Sequence, residues 1–256
     1  MRTKLIILGC GSSVGVPRID GVWGNCSKNN KKNNRTRCSV IIIKGSNSVL
    51  IDTSPDVRNQ LLSNKIKSIS SVVFTHTHAD QTNGLFELRP FYWKNKKKIN
   101  IYGNLQTINH LKKRQDYLFK KISVYPPIVK ANVVNSRFSL GKLNEKIHFK
   151  AIESKHGKTS SIIYIFENTA YISDSNDLSI VNIKELQNLK YLIIDCLKFK
   201  KHPSHFNLKE SLFVHHSLKP KKTILTNLHH DLDYGFLLRN LPKNVLPAYD
   251  GLTLNL

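Results

Sequence analysis

The sequence predicts a layered fold of the α/β or α+β class, and three observations carry that expectation. Short runs rich in Ile and Val, bounded by Gly, Ser or Asp, read as strands. Helical patterns are interleaved with them in both halves of the chain. A chain of 256 residues that is 40% hydrophobic can bury a large core, which excludes disorder of the whole chain. No internal repeat and no Pro/Gly/Ser-rich linker interrupts the pattern, so residues 1–256 are expected to form one domain.

The elements follow in order. The opening "MRTKLIILGCGSS" superficially resembles a signal peptide. Its apolar run is short and broken by Gly9 and Gly11, so it reads better as a first strand and a tight turn. The polar stretch from Gly11 to Arg37 reads as a long loop, and such loops in compact domains are usually functional. "CSVIIIKG", "SVLIDTS" and "SVVFTH" supply further strands. "PDVRNQLLSN" and "LQTINHLKKRQDYLFKK" supply helices, the second after "INIYG". The second half repeats the style, with strands "SIIYIF", "AYISD", "YLIIDCL" and "KTILTN" and helices near "IKELQNL" and "LKESLFVHHSL". "GCGSSVG" lacks the spacing of a dinucleotide loop and no helical run follows it, so a Rossmann reading is rejected.

Composition bounds the partners. Forty Lys and Arg against 17 Asp and Glu give a formal charge of +23, which suits a polyanion, either nucleic acid or a phosphorylated substrate. Lys and Asn recur throughout, as in "KNNKKNN" (Lys28 to Asn34), which an A/T-rich coding sequence would also produce. The charge is spread along the chain and not blocked into a tail, so by itself it does not argue for nucleic acid. The cysteines, Cys10, Cys26, Cys38 and Cys196, form no C-x-x-C pair, so a zinc ribbon is not expected. With no secretory signal, the thiols are expected to be reduced, the compartment cytosolic, and Cys26 and Cys38 free of both disulfide and zinc. No apolar stretch is long enough to span a bilayer, so no membrane partner is expected.

"HTHADQ" concentrates the chemistry. A strand precedes His76, and His76 and His78 alternate about Thr77, so both rings can point to one side of an extended segment. Asp80 adds a carboxylate, and two imidazoles with a carboxylate suit a borderline ion such as zinc. Later strand ends offer His156, Asp174, His229, His230 and Asp231, and a loop offers His202 and His205.

The order of these pieces resembles the metallo-β-lactamase-fold hydrolases. "VLIDTSPD" with Asp52, "HTHADQ", "KHG" with His156, "SDSND" with Asp174 and "LTNLHHDLDY" match that family's five motifs in sequence. The framing "LGCGSSVGVPRI", "GLFELRPF", "YPPI" and "PAYDGL" is similar to the branch of the phosphoribosyl cyclic phosphate phosphodiesterases, related more distantly to ribonuclease Z. The resemblance covers nearly the whole chain. It implies a four-layer αβ/βα sandwich, two mixed sheets flanked by helices, with metals between the sheet edges. It implies His76, His78 and His156 as ligands of a first metal and Asp174 as a bridge to a second. It also allows a homodimer.

Two positions depart from the family. Gln81 stands where a second-site histidine is expected beside Asp80, and Asn227 stands where the family has "LTH". Both exchange imidazole for carboxamide in the same half-site. One outcome is an empty second site in which Gln81 hydrogen-bonds to Asn227 and Asp80. Another is an all-oxygen site of Asp80, Asp174, Gln81 and Asn227 for Mn²⁺ or Mg²⁺, with His230 or His229 as a substitute ligand. The first is favoured, with one tightly held Zn²⁺, because neutral amides hold a divalent ion poorly. Three histidines and an open position bring the pKa of a zinc-bound water to about 7, so attack by that hydroxide on phosphorus, or on another electrophile held beside it, is the expected chemistry. Asp80 would serve as base or orienter, His205 as general acid or phosphate contact, and Asp52 as support behind the ligands.

The implied function is a metal-dependent phosphodiesterase for a small cyclic or nucleotide-like phosphate ester. A ribonuclease Z-like nuclease and a degenerate metal- or ligand-binding member of the fold are the alternatives.

Overall fold

The computed structural model describes residues 2–179 and 181–256. The first sheet is built from β1 (Thr3–Gly9), β2 (Ser39–Lys44), β3 (Asn47–Ile51), β4 (Ser71–Val73), β5 (Ile99–Gly103) and β6 (Val129–Val133). The second takes β7 (Arg137–Leu140), β8 (Ile147–His156), β9 (Thr159–Phe166), β10 (Thr169–Ile172), β11 (Tyr191–Asp195), β12 (Lys222–Thr226) and β13 (Val245–Pro247). The chain then crosses back, and β14 (Thr253–Asn255) pairs with β1 at the edge of the first sheet. Each sheet has seven strands, in the orders β14-β1-β2-β3-β4-β5-β6 and β13-β12-β11-β10-β9-β8-β7. Both are mixed: β3 to β6 run parallel, as do β10 to β13, and the remaining pairs are antiparallel.

Strand alternation sets the layers. Leu5 and Ile7 of β1 face the second sheet, in one core with Val40, Ile42, Val49, Ile51, Phe149, Tyr164 and Ile193. Ile6 and Leu8, one residue out of phase, face the other way. There they pack on α1 (Val57–Ser63) through Val57 and Leu61. The same outer face takes Ile108 and Leu111 from α4, the fourth helix, at Leu105–Arg114. Between these helices lie the short α2 (Ala79–Thr82) and α3 (Arg89–Asn95). The outer face of the second sheet carries α5 (Leu208–Leu218) and α6 (Tyr234–Asn240), which contribute Val214, Leu218 and Leu237. Helices therefore cover both outer faces of two packed sheets, the four-layer sandwich expected. Each fully buried Leu, Ile or Val adds roughly 1.5–3 kcal/mol, so the central layer is the main source of cohesion.

Local signals explain the helix ends. Asn207 and Glu210 of α5 satisfy each other's backbone amides as a capping box, both at 2.9 Å. Asn104 caps α4 by accepting from Thr107 N, and Lys112, Lys113 and Arg114 complement its C-terminal dipole. The helix expected near "IKELQNL" is corrected: only a single 3-10 turn, Ile183–Leu186, forms there. Asn188, at φ +57°, bends the chain into β11 before a second turn can grow. α4 is likewise shorter than its pattern, and Asp116–Leu118 continues as a 3-10 turn. Among the described residues, no helix is long and apolar enough to cross a membrane.

Candidate active site

The site residues come from strand ends on one edge of the sandwich. Asp52 follows β3, His76 lies just beyond β4, His156 closes β8, Asp174 follows β10, Asp195 ends β11 and Asn227 follows β12. The carboxyl ends of parallel strands are where open α/β sheets build their sites. Two bonds lock the sheets together there. Tyr164 donates its hydroxyl to Phe74 O at 2.7 Å, and Ile162 N donates to Thr75 O at 3.0 Å.

His76, His78 and His156 converge as expected, each offering a ring nitrogen within 4.8 Å of the others. The fit to a cation can be read from their other contacts. Thr75 donates its amide to Asp52 Oδ1 and its hydroxyl to Asp52 Oδ2, each at 2.8 Å. Thr75 Oγ1 then accepts from His76 Nδ1 at 3.0 Å, which leaves Nε2 bare. That Nε2 is buried with no protein partner. Burial holds the His76 ring neutral, with its pKa pushed down to about 3. His156 Nδ1 donates to Ser204 O at 2.6 Å, which turns its own Nε2 toward His78. Burial also lowers the pKa of His156. Neutral imidazoles with a fixed tautomer and one unsatisfied nitrogen are what a zinc-type ion needs. Asp52 thus acts through Thr75 and touches no histidine directly. Burial pushes its carboxyl well up, against the two Thr75 bonds.

Asp174 lies beside this triad and forms a second group with His156 and His205, again within 4.8 Å. Here the expectation is widened. Gln81 and Asn227 both meet Asp174, a carboxylate added to the expected Asp80, while Gln81 also lies within hydrogen-bonding reach of Asp80. Gln81 Nε2 donates to Asp174 Oδ2 at 2.9 Å, and Asn227 Nδ2 donates to Asp174 Oδ1 at 3.3 Å and to Ser173 O at 3.1 Å. The reason lies in the backbone: Gln81 sits on the inner side of α2, fully buried, whereas Asp80 faces the cleft. Burial would raise Asp174, but the imidazoles of His76, His205 and His156 and the Gln81 amide outweigh it and hold the carboxyl well below its usual range. Asp80 moves the other way, pushed up to about 6 by burial and by Asp174.

His205 is held by a residue that the sequence reading passed over. Its Nδ1 donates to Asp195 Oδ2 at 2.7 Å, and Ser175 N donates to the same oxygen at 3.0 Å. Burial alone would lower His205, but the Asp195 carboxylate, their hydrogen bond and Asp174 raise it to about 9. Complete burial pushes Asp195 itself up to about 7. The signal for Asp195 is a carboxylate closing an apolar strand, "YLIID", as Asp52 closes "VLID" and Asp174 follows "AYIS".

A cleft of about 440 Å³ joins these groups. Its lining includes His78, Asp80, His156, Asp174, His205 and Asn227. Lys198, His202, His229 and the Ser12–Val14 end of the long first loop complete the wall. His230 does not join the half-site, which corrects its expected role as a substitute ligand. It stacks on His229, with ring centroids 3.6 Å apart, and packs against Gly24. A larger apolar groove of about 740 Å³ runs along α5 and holds none of the triad. All four cysteines are buried and free; Cys38 Sγ contacts Thr226 Oγ1 at 3.4 Å.

This fold and this edge-sited cluster belong to a known class. Residues 47–229 match the family model "Beta-lactamase superfamily domain", and the chain belongs to that superfamily. It is 33% identical to a solved structure described as a new diphosphatase from the PhnP family. The TM-score is 0.89, with 100% of this chain and 98% of that one covered. Zn²⁺-bound PqqB from Methylobacterium extorquens shares the fold at 15% identity and a TM-score of 0.80, covering 99% of this chain and 100% of that one. An octanoyltransferase of Porphyromonas gingivalis (strain ATCC BAA-308 / W83) is 29% identical over 97% of this chain. The chain spans about half of that relative's length (51%).

Proposed function

We propose that this chain is a metal-dependent phosphodiesterase acting on a small cyclic or nucleotide-like phosphate ester. The observation that carries the reading is the meeting of two devices in one cleft. A histidine triad in which His76 keeps an unsatisfied buried nitrogen lies beside an Asp195-held imidazolium, the His156 and His205 rings being 4.7 Å apart by centroid. Zinc held by His76, His78 and His156 would supply a Lewis acid and an acidified water. Asp80, with its raised pKa, is suited to accept a proton from the attacking water near neutral pH. His205, protonated below about 9, is suited to deliver one to the leaving oxygen. Asp195 holds that ring in place and keeps it charged.

One tightly bound ion is favoured over two. Both oxygens of Asp174 already accept amide protons from Gln81 and Asn227, and a neutral carboxamide is a weak zinc ligand. The similarity to a PhnP-family diphosphatase supports phosphorus as the electrophile. The cleft volume of about 440 Å³ falls in the usual small-molecule range of about 300–1,000 Å³, which favours a small substrate over RNA.

The test is metal counting followed by assay of the zinc- or manganese-loaded protein on bis-p-nitrophenyl phosphate and on a tRNA precursor. Turnover of the diester that is lost in His76→Ala supports the reading. Cleavage of the precursor alone would make the chain a nuclease. Bound metal with no turnover of either substrate would make it a binding protein.

A further inference from the structure

The loop after β11 arranges three imidazoles at once. His205 Nδ1 is held by Asp195, and Ser204 O accepts from His156 Nδ1 at 2.6 Å. The third ring, His202, has no part in the chemistry above. It lines the cleft with His78, His156 and His205. Its centroid lies 5.2 Å from that of His205, which in turn lies 4.7 Å from that of His156. The hydrogen bonds of His202 among the described residues both fall on Nδ1. Ser204 N donates to that nitrogen at 3.4 Å, and Ser204 Oγ lies 3.2 Å from it. A backbone amide can only donate, so Nδ1 is an acceptor and the ring proton sits on Nε2. Pro203, between His202 and Ser204, fixes its own φ and keeps His202 out of the helical region, which stiffens the loop. Burial and the neighbouring His205, Lys198 and His156 lower the pKa of His202, so the ring is neutral near pH 7.

In the proposed reaction Asp80 serves the attacking water and His205 serves the leaving oxygen. As water adds, negative charge grows on the non-bridging oxygens of the phosphoryl group, and a donor fixed beside them in advance lowers the barrier. We propose that His202 is a further catalytic residue, whose Nε2–H donates to a non-bridging oxygen of the phosphoryl group under attack. This rests on the hydrolytic reading above and deepens it. The two rings divide the work. His205, kept charged by Asp195, gives its proton to the leaving oxygen. His202, held in one tautomer by Ser204, keeps its proton throughout. A centroid separation of 5.2 Å lets the two Nε2 atoms reach different oxygens of one phosphoryl group through hydrogen bonds of about 2.7–3.2 Å. Ser204 is then the positioning residue for His156 and His202 together.

The experiment measures kcat and KM of the metal-loaded wild type, His202→Ala, His202→Gln and His205→Ala on bis-p-nitrophenyl phosphate and on diphenyl phosphate. The two esters differ in how much the leaving oxygen needs a proton, so His205→Ala should lose far more on the phenyl ester. His202→Ala should lose kcat by at least about tenfold on both alike, the scale of one missing hydrogen bond to a developing oxyanion. His202→Gln, which restores an N–H at similar reach, should recover most of that loss. Retained zinc should stay at the wild-type level in the His202 variants. A loss below about tenfold for His202→Ala on bis-p-nitrophenyl phosphate overturns the proposal and leaves the hydrolase standing. So does a loss that grows on the phenyl ester as that of His205→Ala does. A fall in retained zinc that matches the fall in rate would make His202 a mere prop of the loop that holds His156, and also overturns it. If the wild type hydrolyses neither ester, the hydrolytic reading falls. Calorimetric binding of orthovanadate to the zinc-loaded protein then decides on His202: binding weakened by about fivefold or more in His202→Ala supports the contact, and any smaller change ends it.

Discussion

The side-chain amide of Gln81 donates to Asp174 across 2.9 Å, inside the wall of the cleft, at the position where the family resemblance implies a metal ligand. The donated proton occupies one Asp174 oxygen, which supports the single-ion form proposed above. Replacing both amides (Gln81→His with Asn227→His) should raise retained zinc from about one to about two ions per chain, because imidazole restores the nitrogen ligands zinc prefers. Either single change should do less. Elemental analysis after dialysis reads this directly. A wild type that already retains two ions would mean that the amide oxygens ligate, including Gln81 Oε1, which is buried without a partner.

The Asp195–His205 pair should set the alkaline side of the pH profile. The raised pKa of His205, about 9, keeps the ring protonated below that value, so an acid role is lost as pH rises through about 9. Asp195→Asn removes the carboxylate that holds the proton. The alkaline limb should then move down toward the ordinary histidine value of about 6.5, while His205→Ala should lower kcat by about 10²-fold or more. A limb that stays at 9 in Asp195→Asn would assign it to another group.

Thr75 is the link through which Asp52 orients His76. Thr75→Val keeps the shape and removes the hydroxyl that contacts Asp52 Oδ2 at 2.8 Å and His76 Nδ1 at 3.0 Å. Loss of such support behind a metal ligand typically weakens binding by about 10–100-fold. Competition with a chromophoric zinc chelator would measure it, and an unchanged affinity would show that packing alone orients the ring.

Gly84 ties α2 to the loop after β3. A Cβ at this position would lie 2.0 Å from Ser54 O, a backbone atom with little freedom to yield. Gly84→Ala should therefore cost about 1–3 kcal/mol, the usual range for overpacking. A urea denaturation curve checks this, and a loss below about 0.5 kcal/mol would mean that the loop relaxes freely.

His76, His78 and Asp80 were readable because their spacing is local: "HTHAD" places its donors within five residues, and a strand precedes it. Asp195 was not, because its partner His205 is ten residues away across a loop, and an aspartate closing a strand has no spacing signature. β8 escapes a search for Ile- and Val-rich runs. Its inward positions Ile147, Phe149 and Ala151 alternate with His148, Lys150 and Ile152, so the pattern is there at period two without the composition. The partner of the two carboxamides was hidden for another reason. The exchange at Gln81 and Asn227 is plain in the sequence, but which carboxylate they serve depends on how α2 turns, and that is a property of packing.

The return of β14 to β1 has a consequence for how the molecule is made. Lys4, Leu5 and Ile6 pair with Asn255, Leu254 and Thr253, at opposite extremes of the chain. Asp250 draws in the same region, accepting from Thr36 N at 2.8 Å and from Cys10 N at 3.1 Å. During synthesis, β1 has one open edge until Thr253–Asn255 has left the ribosome. The cleft wall at Ser12 hangs from that strand and leans on Leu228, so it too must wait. Such long-range pairing makes for slow folding, so catalytic competence should arrive late and in one step, not grow with the nascent chain.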